Sequence, residues 1–260
     1  MKKWILIGGG LAALLAGAAA ALLVTINPVV EAGVNLYGPD ITGTHVFLKK
    51  ADISVFSGKG SLHEFTLGNP KGYSSPHAVK IGSVSMALDK GTLMDDVIVI
   101  RKIDIDSPDI VYEIGKHSNN FDDILANVRQ SVGAQEKAAK ASTSSKAEGA
   151  GKKVVIDELT IRNAKAAIAM PQLKLNITAP LPDIRLTDIG REKGRQHEGV
   201  TMAEATERVL KELTASLGKA SKSAAGQARV TLKASGEALQ KGAKDAADKL
   251  KQGLGGLFGK

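Results

Sequence analysis

Between Lys3 and Asn27 the chain reads WILIGGGLAALLAGAAAALLVTI, without one charged residue. At about 1.5 Å of rise per residue such a run makes a helix of roughly 34 Å, enough to cross a hydrocarbon core about 30 Å thick. Lys2 and Lys3 precede it and the first acidic residue after it is Glu31. The positive-inside bias then keeps the N-terminus cytoplasmic and sends the chain beyond Asn27 across the membrane. A cleaved signal peptide is the competing reading. The apolar run is longer than a usual signal core, and Leu22, Leu23, Val24 and Ile26 stand where a cleavage region turns polar, so a retained anchor over residues 1–27 is expected. Gly8, Gly10 and Ala13 within this run also fit a variant dinucleotide fingerprint. A crossover helix in a soluble domain needs a polar face, which Leu11 to Leu23 does not offer.

Downstream the dominant pattern is alternation at period two. Val46 and Leu48 begin it, followed by Ile53 and Val55, Leu62, and then Ile81, Val84, Met86 and Leu88 with one irregular step. In VIVIRKIDIDSPDIVYEI the residues Ile98, Ile100, Ile103, Ile105, Ile110 and Tyr112 alternate with polar ones. Strands with one apolar and one polar face read this way. Turn signals at Ser57-Gly58-Lys59-Gly60, Asn69-Pro70-Lys71-Gly72, Asp89-Lys90-Gly91 and Ser107-Pro108-Asp109 separate them, and short turns favour an antiparallel meander. The 28–131 segment therefore reads as an amphipathic β-sheet module closed by a short helix. Asn119 or Asn120 caps that helix, and Phe121, Ile124, Leu125 and Val128 share its apolar face.

Residues 132–153 are poor in large apolar side chains and read as a flexible linker or insertion. Strand patterning resumes over 154–200, with Val154, Ile156, Leu159, Ile161, Ile168, Leu173, Leu175, Ile177, Ile184 and Leu186. From Thr201 the period becomes helical, with a Thr201/Glu204 capping box and Val209, Leu210, Leu213 and Leu217 on one face. Residues 201–260 then form a basic Ala/Lys-rich helical tail.

The charge is uneven. Residues 27–131 hold ten Lys/Arg against thirteen Asp/Glu, 132–200 twelve against eight, and 201–260 eleven against six. A basic C-terminal stretch with a thin apolar stripe suits weak, reversible contact with an anionic membrane surface, or a lid packed on the sheet. There is no cysteine, which excludes disulfides, thiolate metal sites and cysteine nucleophiles. The five histidines, His45, His63, His77, His117 and His197, lack ligand spacing. Asp95-Asp96 and Asp104-x-Asp106 read as solvated surface carboxylates. No nucleophile elbow or phosphate-binding loop occurs, and the basic half lacks the aromatics that stack on nucleic acid. No catalytic, cofactor or metal residue is expected, and no nucleic-acid partner.

The stretch DITGTHVFLKKADISVFSGKGSLHEFTLGNPKGYSSPHAVKIGSVSMALDKGTLMDDVIVIRKIDIDSPDIVYEI followed by SNNFDDILANV resembles the N-terminal module of AsmA-like proteins. The resemblance covers residues 1–131, with 153–190 as continuing strands. It rests on the anchor and the amphipathic segment after it, the G-x-L-x-x-x-x-L-G-N-P-x-G-Y strand and turn, the G-T-L-M and I-x-I-x-x-P-x-I segments, and the Asn-rich helix start. It implies a non-enzymatic protein anchored once in the inner membrane of a Gram-negative envelope, with its body in the periplasm. It further implies a curved, groove-like sheet whose apolar floor handles phospholipid, with Ile81, Val84, Met86, Ile98, Ile100, Ile103 and Ile105 as lipid-facing candidates. The expected class is thus α+β: a transmembrane helix, an amphipathic antiparallel sheet with a short helix, then C-terminal amphipathic helices. The chain is short for a carrier that bridges two membranes, so a single local lipid-handling module is the expectation. A structural or adaptor protein that binds other envelope proteins and no lipid is the alternative.

Overall fold

The computed structural model describes residues 26–141, 152–191, 199–223 and 226. The proposed membrane helix lies, but for its last residues, outside them, as do the centre of the expected linker and the tail beyond 226. Among the described residues no helix is long and apolar enough to cross a membrane. The chain divides after Leu217 into two compact units, so the first part of the expected tail belongs to the unit that contains the sheet.

That unit is α+β, with a mixed, open sheet. Helix α1 (26–42) leads through a turn into β1 (Val46–Ser54), β2 (Lys59–Leu67), β3 (Val79–Leu88), β4 (Val97–Asp106) and β5 (Asp109–Glu113). Helix α2 (Asn120–Ala141) follows, then β6 (Lys153–Arg162), β7 (Lys165–Met170), β8 (Leu175–Pro180), β9 (Ile184–Ile189) and, as far as Leu217, helix α3 (202–223). The meander expected for β1 to β4 is present, each strand antiparallel to the next. The all-antiparallel expectation is corrected by β6 and β7, which run parallel to β4 and β5. A parallel neighbour needs a crossover of a dozen residues or more, and α2 supplies it. That helix is also longer than the short one expected: it has 22 residues and runs to Ala141, well into the stretch read as a linker.

The nine strands lie in six rows. The register of β3 against β4 carries on, without offset, from Val84↔Ile105 to Lys80↔Asp109 on β5. It also carries through from Asp106↔Arg162 to Asp109↔Lys165, and from Ile161↔Ile184 to Lys165↔Pro180. So β4–β5, β6–β7 and β9–β8 are each one long strand with a break.

The breaks line up. In every row, two consecutive outward-facing residues interrupt the alternation at one transverse seam: Lys49-Lys50, His63-Glu64, Gly82-Ser83, Asp106-Ser107, Arg162-Asn163 and Pro182-Asp183. Inward positions therefore step by two along a strand and by three across the seam, as in Leu48 to Ala51, Ile81 to Val84 and Ile105 to Pro108. An extra outward residue reverses the side-chain phase of everything after it. Because all six rows reverse together, the apolar face stays on one side. Left-handed backbone at Glu64, Ser107 and Asn163 (φ 54°, 50° and 54°) accommodates the step. A second seam crosses three rows at Arg101-Lys102, Asp157-Glu158 and Thr187-Asp188, with Asp188 at φ 56°. It ends at β3, where the register shift at Ala87/Leu88 absorbs the extra residue.

One edge of the sheet is capped by side chains. Asn27, Glu31 and Asn35 lie four residues apart on one face of α1. Their oxygens accept from the backbone N–H groups of Ile53 (2.8 Å), Ala51 (2.8 Å) and Leu48 (2.6 Å), and Asn35 Nδ2 donates to Leu48 O at 3.0 Å. Four helical residues rise about 6 Å, close to the advance of two strand residues from Ile53 to Ala51; the next step, from Ala51 to Leu48, takes three residues because it crosses the Lys49-Lys50 seam. The unpaired rim of β1 is thereby closed against another strand.

Candidate functional site

The inner face has two halves. Towards the turns that end at Gly72 and at residues 114–119, which we term the distal end, it is core. Val46, Leu48, Leu67, Val79, Ile110, Tyr112, Ala166 and Ile168 are buried, as are Phe121, Ile124, Leu125 and Val128 of α2. Towards the β1–β2 hairpin, the proximal end, rows β2 to β4 lie partly open. Leu62, Met86, Leu88, Ile98, Ile100, Ile103 and Ile105 are half-buried, whereas Val154, Ile156, Leu159 and Ile161 of β6 are closed.

The seven residues expected to face lipid thus divide. Ile81 and Val84 are core, 7% and 6% exposed. Met86, Ile98, Ile100, Ile103 and Ile105 form one contiguous patch through the register pairs Met86↔Ile103, Val84↔Ile105 and Leu88↔Ile100. The same patch continues onto β6 through Ile98↔Val154, Ile100↔Ile156 and Ile103↔Leu159. Ile98 and Ile100 differ in parity from Ile103 and Ile105. The second seam, at Arg101-Lys102, puts all four on one face. Chemically this is an apolar strip bordered by strands, able to hold an acyl chain or another apolar segment by burial and without directional bonds.

A polar clasp closes the distal end. Asn120 is fully buried; its Oδ1 accepts from Glu113 N (3.0 Å), and its Nδ2 donates to Val111 O and to Asn69 Oδ1 (both 2.7 Å). The carboxylate of Glu113, 3% exposed, accepts from Ser74 N, Ser74 Oγ and Ser75 N, the last at 2.6 Å. Burial pushes this carboxyl up, but the hydrogen bonds from Ser75 and Ser74 together outweigh it and leave it below its ordinary range. Tyr73 donates to Asp123 Oδ2 at 2.6 Å, and burial with that carboxylate raises its phenol. The turn signalled by Asn69-Pro70-Lys71-Gly72 is formed, with Gly72 at φ 102°. At the helix start Asn119 is the cap, its Oδ1 accepting from Asp122 N at 2.9 Å, while Asn120 serves the clasp.

The clasp was not legible in the sequence. Its members lie up to 51 residues apart, and the only signal was the cluster of asparagines and a Gly-Tyr turn. The acidic pairs are surface groups: Asp104 accepts from Arg162 Nη2 (2.7 Å) and Thr160 Oγ1 (3.0 Å), and Asp106 from Asn163 Nδ2 (2.7 Å). Among the described residues no three His, Asp or Glu side chains converge on a point where a metal ion could sit.

An open, seamed sheet with an apolar face, partly covered by helices and carrying a half-buried apolar strip, defines a scaffold for apolar ligands or partners. The AsmA family profile matches residues 59–246, most of the chain. The chain belongs to the AsmA family. The match starts at β2 and runs through the crossover, β6 to β9 and α3, so membership rests on every strand after β1 and not only on the first half of the sheet. No curated protein matches the chain.

Proposed function

We propose that this protein is a non-enzymatic, inner-membrane-anchored envelope protein of AsmA type. Residues 1–27 hold it in the membrane, the rest of the chain lies in the periplasm, and the strip from Met86 to Ile105 receives the acyl part of a phospholipid. The observation that supports this is the half-burial of Met86, Ile98, Ile100, Ile103 and Ile105 on a face whose remaining positions are largely closed. Apolar side chains left together at the surface mark a place for an apolar partner. The test is native mass spectrometry of the full chain purified in mild detergent from a Gram-negative envelope. Co-purifying phospholipid is expected, and it is expected to be lost in Ile103→Asp. Lipid-free protein that instead retains a stoichiometric protein partner would establish the adaptor reading in its place.

A further inference from the structure

The proximal end of the sheet gathers exposed apolar side chains from separate loops. Phe56, in the β1–β2 hairpin, and Met94, in the β3–β4 connection, are 68% and 73% exposed, the two highest values among the large hydrophobic residues described. Met202 joins them at the start of α3, 52% exposed, and the bridge Val154↔Val200 places it at the same end. Exposed Lys59, Lys90 and Lys153 stand beside them, interspersed with Asp95 and Asp96. The distal end also shows apolar side chains, Phe47 and Leu175, but they are less exposed at 43% and 42%, and its turns carry exposed Lys71, Lys116 and His117, with Tyr73 tied to Asp123.

The chain also enters at the proximal end. Asn27 Oδ1 accepts from Ile53 N at 2.8 Å, one residue before β1 ends. Residue 26 closes the apolar 4–26 run, and α1 starts beside the hairpin and runs away from it. Val29, 66% exposed, lies on the first turn of α1 after that contact.

We propose that the proximal end is a membrane-docking face, seating Phe56, Met94 and Met202 in the interfacial layer of the bilayer that residues 4–26 enter. Apolar side chains on loop tips with lysines beside them suit a headgroup boundary, where the apolar part is buried and each amine gains from anionic phosphates. The half-buried strip ends at this same face, because Ile98 and Ile100 lie at the proximal end of β4 and Leu88 at that of β3. An acyl chain leaving the bilayer would therefore meet the strip without crossing water. This inference rests on the anchored reading of residues 1–27.

The absence of cysteine permits single-site labelling of the full chain. Phe56→Cys, Met94→Cys and Met202→Cys, with Lys71→Cys as the distal control, are labelled with an environment-sensitive fluorophore. The proteins are reconstituted in phosphatidylethanolamine/phosphatidylglycerol vesicles with and without a lipid-borne quencher. Flotation of the vesicles comes first: a chain that does not float refutes the anchored reading and this inference with it. In floated samples, quenching several-fold stronger at positions 56, 94 and 202 than at 71 is expected. Equally weak quenching at all four positions overturns the docking face alone, and quenching strongest at position 71 reverses the orientation.

Discussion

Removing the Asn120 carboxamide tests whether the distal clasp holds α2 to the sheet. In Asn120→Ala three hydrogen bonds disappear, and Glu113 N–H and Val111 C=O lose their carboxamide partner beneath a fully buried position. An orphaned buried backbone group costs about 1–3 kcal/mol, so two of them give roughly 2–6 kcal/mol. For a unit of this size each kcal/mol lowers Tm by about 2–4 °C, which amounts to a fall on the order of 4–24 °C. The comparison is Asn119→Ala, one residue away, which removes only an exposed helix cap, worth about 1 kcal/mol. Thermal unfolding of the full chain in detergent, followed by circular dichroism, measures both. A loss in Asn120→Ala no larger than that in Asn119→Ala would refute the reasoning, because it would mean that the clasp is dispensable and that α2 is held by its apolar face alone.

Ile100→Asp is expected to destabilise by about 2–4 kcal/mol through lost burial and a poorly solvated charge, and Arg101→Asp by about 1 kcal/mol or less, since Arg101 holds only an exposed pair with Asp89; denaturant titration of the two variants ranks them. The Glu113 carboxyl lies below its ordinary value of 4.5 in the fold, so its contribution is present above that value and is lost as pH falls below about 4.5 towards the folded value. Glu113→Gln should flatten that part of the acid limb of a stability-versus-pH curve, and an unchanged limb would contradict the assignment. At the first seam, Asn163→Gly should be close to neutral while Asn163→Val loses about 1–2 kcal/mol, because a β-branched residue resists the left-handed backbone found there; equal stabilities in a thermal melt would show that the seam tolerates any residue.

The strands of this sheet were legible because half of their residues are apolar and spaced by two. The irregular step between Ile81 and Val84, and the parity change between Ile100 and Ile103, were visible in the sequence as defects in that spacing. Their meaning was not, because a seam exists only when neighbouring strands break at the same register, and a single strand carries no record of its partners. The polar dyads Arg101-Lys102, Asp157-Glu158 and Arg162-Asn163 are the signal that could have marked it. Pairing direction was missed for a related reason: alternation assigns faces, not neighbours, and the crossover through α2 was read as a short helix and a linker because the Ala/Lys composition after Val132 offers few large apolar residues. The Thr201/Glu204 capping box was recoverable from local sequence and is formed, with Glu204 N donating to Thr201 Oγ1 at 3.2 Å and Thr201 N to Glu204 Oε2 at 2.7 Å. The clasp and the α1 ladder were not, since both join side chains to backbone far away in the chain.

The seams also fix how a sheet of this kind can change length. Inward positions that step by two and then three return to the same phase every five residues, as from Ile98 to Ile103 to Pro108. Five extended residues span about 17 Å. Insertion of one such block in every row would lengthen the apolar surface by that increment and leave all downstream side chains on their original sides. A block added to one row alone would leave its outward dyad facing continuous alternation in the neighbours, and would have to be absorbed as a bulge, as β3 already does at Ala87/Leu88. Growth by seamed blocks is therefore collective across the rows, whereas pairs of residues, as in Pro108–Ile110–Tyr112, lengthen a row with no seam at all.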